Sequence, residues 1–160
     1  INGGDVTGDG LVDLVLGLPN AKVNEDDEES GVIAIITGQK NQPNVIEISD
    51  LFNHNVITIP VHNTHLNWHT QVSISGTKIA IGYPQAESPF VPGAQTGAVK
   101  IIDLDGFVAP MVFPSIDSIL YGEIYGRKDG DQLGISLDYL GDVNNDGISE
   151  IFIGALDTDD

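Results

Sequence analysis

The segment Asp5-Val6-Thr7-Gly8-Asp9-Gly10-Leu11-Val12-Asp13 is acidic and runs directly into the apolar stretch 14–18. A second segment, Asp142-Val143-Asn144-Asn145-Asp146-Gly147-Ile148-Ser149-Glu150, has the same pattern and runs into the apolar stretch 151–155. In both segments oxygen-bearing side chains occupy positions one, three, five and nine, and a glycine follows position five. The chain therefore contains two copies of one acidic loop, each placed immediately before a predicted strand.

The spacing of the oxygen atoms in these two loops is typical of a calcium site. Ca²⁺ takes about 6–8 oxygen ligands, and alternate residues of a tight turn can direct theirs inward. Gly10 and Gly147 stand where such a turn needs backbone angles that a side chain disfavours. The predicted ligands are Asp5, Thr7, Asp9, Asp13 and the Leu11 carbonyl in the first loop, and Asp142, Asn144, Asp146, Glu150 and the Ile148 carbonyl in the second.

Two other interpretations of these loops are ordinary Asp-Gly turns in an acidic protein and an EF-hand or dockerin loop. Two occurrences in the same register, each followed by a strand and a glycine, argue against chance turns. An EF-hand loop needs a carboxylate at position twelve, whereas those positions are Leu16 and Ile153 here. The acid at position nine and the predicted flanking strands favour a calcium loop in a β-protein.

The predicted role of the ion is structural. Three carboxylates in one turn repel one another until a divalent cation neutralises them. The sequence has no Gly-x-Ser-x-Gly elbow and no phosphate-cradling glycine loop, the motifs of hydrolase and nucleotide chemistry. We therefore expect a binding protein and not an enzyme.

The charge balance narrows the partners and the location. The 160 residues include six basic and 24 acidic side chains, a formal net charge of -18, and no cysteine. Such a chain repels nucleic acid and anionic membrane surfaces, and no apolar run is long enough to span a bilayer. Calcium loops of this kind fill where free Ca²⁺ is high, which predicts an extracellular or cell-surface location.

The remaining apolar runs are short, rich in Val and Ile, and bounded by Gly, Pro, Asn and Asp, a pattern typical of strands. No sustained helical period of apolar residues is present. The sequence therefore predicts a nearly all-β chain. The predicted strands outside the two loops cover 32–36, 56–59, 72–75, 78–81 and 98–102.

The chain also repeats on a longer scale. The motifs Gly17-Leu18-Pro19, Gly82-Tyr83-Pro84 and Gly154-Ala155-Leu156 each close an aliphatic strand, at intervals of roughly 65–70 residues. A Gly-led strand follows the first two motifs, at residues 31–35 and 97–101. We divide the chain into repeats at 1–66, truncated at its start, 67–131, and 132–160, truncated at its end. A complete repeat has the strand content of an antiparallel four-stranded propeller blade.

These residues resemble the FG-GAP repeat of integrin α-subunit β-propellers and related extracellular proteins, over essentially the whole chain. The family's Phe-Gly is represented by Trp68-His69 and Leu133-Gly134, and its Gly-Ala-Pro by the three motifs above. The resemblance implies part of a seven-bladed ring and the same calcium ligands. In the middle repeat, Ser75-Gly76-Thr77 replaces the loop, which predicts a tight hairpin with no cation.

The expected function is adhesion, or recognition of a protein or glycan through loops between strands, in a propeller completed by further blades. The alternatives are a non-catalytic accessory propeller of a secreted enzyme, such as a phospholipase D-like hydrolase, and an architectural spacer. Both ends of the sequence look truncated, because Ile1 stands immediately before a loop with no preceding strand and Asp160 stands a few residues after another apolar strand. The chain is therefore expected to be a fragment.

Two further polar clusters have less specific interpretations. His62, His65 and His69, with His54 nearby, could be drawn as a zinc site, but Pro60 and Asn63 argue against the helix that would align them. A polar loop is the favoured interpretation. The acidic run 24–30 is interpreted as a solvated loop, with recruitment of a basic partner or a cation as the alternative.

Overall fold

The computed structural model describes residues 2–18, 21, 30–41, 55–62 and 71–156, and of Ser30 and His62 the backbone alone. These residues form thirteen strands and one short 3₁₀ turn, Ile116–Ile119. The prediction of a nearly all-β chain is confirmed. The strands are β1 Asn2–Gly4, β2 Asp13–Leu18, β3 Ser30–Ile36, β4 Val56–His62, β5 Val72–Ser75, β6 Lys78–Tyr83, β7 Glu87–Ser88, β8 Val91–Gln95, β9 Ala98–Asp103, β10 Met111–Val112, β11 Leu120–Tyr125, β12 Ser136–Gly141 and β13 Glu150–Gly154.

The strands form two larger sheets and two hairpins. The first sheet has the order β1-β2-β3-β4-β10, in which β1 to β4 are antiparallel neighbours and β10 is parallel to β4. The second sheet has the order β11-β9-β6-β5 and is antiparallel throughout. The strands β12 and β13 form an antiparallel hairpin, and β7 and β8 form another between β6 and β9 in the sequence.

Each of the five strands predicted outside the acidic loops lies within an observed strand, and those predicted after the loops are β2 and β13. One expectation is corrected at the N-terminal side of the first loop. Its preceding strand is not missing, because β1 pairs with β2 through Asn2 opposite Val15 and Gly4 opposite Asp13. The first loop is therefore held between two paired strands.

The main apolar core lies between the first and second sheets. Ile33, Ile35 and Ile57 of the first sheet pack in one buried cluster with Ile79 and Ile81 of the second. Burying an isoleucine side chain stabilises a fold by about 1.5–3 kcal/mol. This cluster therefore joins the two sheets firmly.

The opposite face of the second sheet packs against the β12–β13 hairpin. Successive residues of a strand face opposite sides, so Ala80 of β6 points away from the main core. Ala80, Val99 and Leu137 form a separate buried cluster, with Ile151 and Ile153 packed on it. An isolated two-stranded hairpin is marginal in water, so β12 and β13 depend on this contact.

The β12–β13 hairpin meets the second sheet where Gly134, of the motif Leu133-Gly134, contacts Gly82, of the motif Gly82-Tyr83-Pro84. Gly134 lies so close to Gly82 that a Cβ on Gly82 would be 2.1 Å from the Gly134 carbonyl oxygen. Gly134 has φ +88, and a Cβ there would lie 2.6 Å from the Ala98 carbonyl oxygen. Its N–H donates to the Gly154 carbonyl at 3.0 Å. The close backbone approach is possible only without side chains at this crossing.

The predicted tight hairpin of the middle repeat is confirmed. Ser75 pairs with Lys78 across the two turn residues, and Gly76 has φ +55. The Thr77 hydroxyl donates to Asp103 Oδ1 at 2.7 Å, and Lys78 Nζ lies 3.0 Å from Asp103 Oδ2. The turn is therefore tied to the end of β9.

The contacts of Asp103 predict that the free energy of unfolding falls slightly at acidic pH. The Thr77 hydroxyl, and after it Lys78, lowers the pKa of Asp103 below its ordinary value. Its stabilising contribution is therefore complete above the pKa of an unfolded Asp and is lost as pH falls through the lower folded value. We expect Asp103→Asn to cost under about 1 kcal/mol at pH 7, because the pair is partly exposed. Urea unfolding at pH 7 and pH 3 checks this, and an equal cost at both values would contradict it.

No helix in the described residues combines the length and apolar character that a membrane span requires.

Candidate metal centre

The second acidic loop connects β12 to β13 and brings three of its predicted ligands together. Asp142, Asp146 and Glu150 each offer a carboxylate oxygen, and these oxygens lie within 4.8 Å of one another. Among the described residues this is the one group of three or more His, Asp or Glu side chains close enough to share a metal ion. None of the three carboxylates takes part in an ion pair with the described basic residues. Within the described part of the chain, no ion pair offsets the negative charge of this cluster.

Backbone N–H groups orient these carboxylates. Asp142 accepts hydrogen bonds from the N–H groups of Asp146 at 3.0 Å and Gly147 at 2.8 Å. Asp146 accepts from the Ile148 N–H at 2.9 Å, and Glu150 accepts from the Val143 N–H at 2.7 Å. The loop is therefore closed upon itself by its own acidic side chains.

Four hydrogen bonds of the second loop recur in the first loop at the same positions. Asp5 accepts from the N–H groups of Asp9 at 3.0 Å and Gly10 at 2.9 Å. Asp9 accepts from the Leu11 N–H at 2.8 Å, and Asp13 accepts from the Val6 N–H at 2.9 Å. Positions four and six have positive φ in both loops: Gly8 +75 and Gly10 +84 in the first, Asn145 +62 and Gly147 +89 in the second. The sequence repeat is therefore also a repeat of backbone conformation.

The two loops differ in the use of the ninth-position acid. Asp13 is 1% exposed, and its Oδ2 accepts from the Thr7 N–H at 3.1 Å and the Thr7 hydroxyl at 3.2 Å, besides Val6. Its Oδ1 accepts from the Gly38 N–H at 2.8 Å. Asp13 is thus a buried acceptor that ties the first loop to the chain after β3. The structure does not bring Asp5, Asp9 and Asp13 into a compact group like that of the second loop.

The third position also differs between the loops. Thr7 is buried and donates to Asp13, whereas the Asn144 amide is exposed and reaches two acids of its own loop. Asn144 Nδ2 donates to Asp146 Oδ2 and to Glu150 Oε1, both at 3.0 Å. Its Oδ1 accepts from the Asp146 N–H at 2.8 Å. The amide hydrogens thus lie between carboxylates that would otherwise face each other unshielded.

The donor set of the second loop fits a hard cation. All of its candidate side-chain ligands present oxygen, which suits Ca²⁺ or Mg²⁺ and not a thiolate- or imidazole-seeking metal. Two unit charges about 4 Å apart repel by on the order of 1 kcal/mol in water, and by more at lower dielectric. A divalent ion would reverse that repulsion. Leu11 and Ile148 occupy equivalent positions in the two loops, and the ligand role of their carbonyls stays a prediction.

Contacts from outside the loops are what the sequence pattern missed. The Ser75 hydroxyl donates to the Ser149 hydroxyl at 2.7 Å, although the residues are 74 positions apart. The Gly38 N–H that holds Asp13 lies 25 positions from it. Neither contact has a local signal, because each depends on how the strands pair and pack.

The other polar clusters fall largely beyond the described residues. His54, His65 and His69 lie outside them, as does the acidic run up to residue 29, while Ser30 begins β3 and His62 ends β4. Comparison of the chain with models of known protein families finds no match. Comparison with curated proteins finds none either. The FG-GAP resemblance therefore remains a prediction that depends on the motif residues.

Proposed function

We propose that this chain forms calcium-stabilised blades of an FG-GAP-type β-propeller in an exported or cell-surface protein, where it recognises a protein or glycan and does not catalyse a reaction. One observation carries the calcium assignment. Two acidic loops far apart in sequence share four equivalent side-chain-to-backbone hydrogen bonds and two positive-φ positions. In the second loop this conformation accompanies three carboxylates whose oxygens lie within 4.8 Å of one another, an arrangement that suits a hard cation.

The residues that would hold the ion in the second loop are Asp142, Asp146 and Glu150, with Asn144 and the Ile148 carbonyl. The ion supplies positive charge that offsets the repulsion among the three acids. Asn144 currently directs its amide hydrogens at Asp146 and Glu150. Rotation of that amide would offer its oxygen to the cation instead. The first loop has Thr7 and the buried Asp13 in the corresponding places, so we expect it to bind calcium more weakly.

The sheet topology supports the propeller part of the proposal. The strands β1 to β4 are consecutive antiparallel neighbours, and the second sheet also contains four antiparallel strands arranged in chain order. Four-stranded antiparallel sheets of this kind are the unit of a propeller. The acidic loops precede β2 and β13, and the tight hairpin precedes β6 in the same relative place. This equivalence favours three copies of one structural unit.

The hairpin of β7 and β8 supports a role in recognition. It follows the motif Gly82-Tyr83-Pro84 and presents Phe90 with 79% of its surface exposed. The Phe90 ring meets the Tyr125 ring edge-to-face at 5.8 Å. Exposed aromatic rings contribute large contact areas in binding surfaces. A connection between strands that ends in such a ring suits binding of a protein or glycan ligand.

Calcium titration of the Asp146→Ala variant tests the calcium site. The wild-type chain is expected to bind Ca²⁺ and to gain about 2.7 kcal/mol of unfolding free energy when the ion is a hundredfold above its Kd. Asp146→Ala removes one of three clustered charges. It should abolish calcium binding by the second loop and the part of the stability gain that this binding supplies. Isothermal titration calorimetry gives the number of sites, and urea unfolding with and without EGTA gives the stability change.

Glu87→Ala is the matched control, because Glu87 is an exposed acid in β7 outside both loops. It removes the same charge and should leave calcium binding unchanged. Equal unfolding curves for the wild-type chain in calcium and in EGTA would contradict the structural role of the ion.

A further inference from the structure

A pair of hydroxyl groups joins the second acidic loop to the neighbouring sheet. The Ser75 hydroxyl donates to the Ser149 hydroxyl at 2.7 Å in a partly buried contact. Ser149 is position eight of the loop, between Ile148 and Glu150. Those two residues are the predicted carbonyl and carboxylate ligands. A constraint on Ser149 is therefore a constraint on both of them.

Ser75 can act as a fixed support, because the turn that follows it is held on several sides. The Leu104 N–H donates to the Thr77 carbonyl at 3.0 Å, and the Thr77 hydroxyl donates to Asp103 at 2.7 Å. Lys78 adds an ion pair with Asp103 at 3.0 Å. The turn is thus part of the second sheet and moves with it.

A second serine of β5 fixes the strand that leads into the loop. The Ser73 hydroxyl donates to Asp138 Oδ1 at 2.7 Å and accepts from the Tyr139 N–H at 3.1 Å. Ser73 therefore anchors β12 before the loop, and Ser75 anchors the loop just before β13. The loop is held at both ends by alternate residues of one neighbouring strand.

We propose that Ser75, from the neighbouring sheet, is a positioning residue for calcium in the loop 142–150, acting through Ser149. This inference rests on the proposed calcium function. Without the ion, repulsion among the three adjacent carboxylates opposes the backbone hydrogen bonds that close the loop, so we expect only a fraction of molecules to have the loop closed. The apparent Kd equals the intrinsic Kd divided by that fraction. The bond from Ser75 to Ser149 raises the fraction and so tightens binding.

The test is a titration of the ¹⁵N-labelled chain with CaCl₂, followed by NMR. The amide of Gly147 donates to Asp142 and reports the second loop, whereas the amide of Gly10 donates to Asp5 and reports the first. In Ser75→Ala, the loss of one hydrogen bond should weaken calcium binding to the second loop, as reported by the Gly147 amide, by roughly three- to tenfold. Binding at Gly10 should be unchanged. Ser75→Thr keeps the hydroxyl and should restore most of the affinity.

Ser149→Ala should show the same loss, and the double variant should lose no more than either single variant, because both remove one bond. Ser118→Ala is the control, since the Ser118 hydroxyl donates to the carbonyl of Ser115, the residue just before the 3₁₀ turn. If the Gly147 amide reported wild-type calcium affinity in both Ser75→Ala and Ser149→Ala, the positioning role would be overturned and the calcium site would stand. No calcium response of Gly147 in the wild-type chain would overturn the calcium site itself.

Discussion

Replacement of Gly134 by alanine is expected to destabilise the chain by about 4 kcal/mol or more, the range reserved for severe packing or backbone faults. A Cβ on Gly134 would lie 2.6 Å from the Ala98 carbonyl oxygen and 3.0 Å from the Gly82 Cα. Both neighbours are backbone atoms that cannot move without disturbing the second sheet. The positive φ of +88 adds strain, about 1–2 kcal/mol for a residue with a Cβ. Urea unfolding monitored by circular dichroism measures the change.

Gly106→Ala separates the two causes. Gly106 has φ +75, and a Cβ there would meet no atom within 4 Å. This variant therefore carries the backbone strain without the overlap and should cost only about 1–2 kcal/mol. Equal destabilisation of the two variants would contradict the close backbone contact between the hairpin and the second sheet at Gly134.

The crossing at Gly134 gives the motif glycines a physical reason. In the sequence, Leu133-Gly134 and Gly82-Tyr83-Pro84 are recurring motifs whose structural reason is not evident. In the structure Gly134 packs against Gly82 of the preceding sheet and bonds to Gly154 of its own hairpin. Glycine is required because backbone meets backbone there.

The second large effect is expected for Asp13→Asn, which should cost about 2–5 kcal/mol in calcium-free buffer. The Asp13 carboxylate is buried and accepts from the N–H groups of Val6, Thr7 and Gly38. An asparagine side chain has the same shape, but its NH₂ group must face at least one of these donors. Each buried polar group left without a partner costs about 1–3 kcal/mol. Unfolding in urea with EGTA present measures the effect apart from any ion.

Asp9→Asn is the matched control in the same loop. Asp9 is exposed, and among the described residues its side chain accepts one backbone hydrogen bond, from Leu11 at 2.8 Å. The same change of charge should therefore cost under about 1 kcal/mol in EGTA. A loss for Asp13→Asn no larger than for Asp9→Asn would show that Asp13 is not the buried acceptor described here.

Most strands could be predicted because their signal is local. The run 32–36 is an unbroken series of apolar residues, and residues 78–81 precede a Gly-Tyr-Pro stop. Each became part of a buried strand. The hairpin at Gly76 was predictable for the same reason, since two alternating strands left room only for a tight turn. The acidic loops were recognisable from oxygen spacing alone.

The relations between distant segments could not be read from the sequence. The parallel pairing of β10 with β4 joins Met111 to Ile57, and residues 111–112 are too short a run to be recognised as a strand. Asp13 accepts from the Gly38 N–H, and the Ser149 hydroxyl accepts from Ser75. Such contacts arise from sheet register and packing, on which local propensity has no bearing.

The place of β10 has a consequence for engineering. This strand belongs to the predicted second repeat, 67–131, yet it completes the edge of the sheet formed by β1 to β4. Truncating the chain at residue 66 would uncover the outer edge of β4. Transplanting residues 67–131 elsewhere would carry β10 without β4, the strand with which it pairs. A module for grafting that contains β1 to β4 should therefore keep β10, and because β11 pairs with β9 it should run through residue 125 and not end at the boundary that the sequence motif suggests.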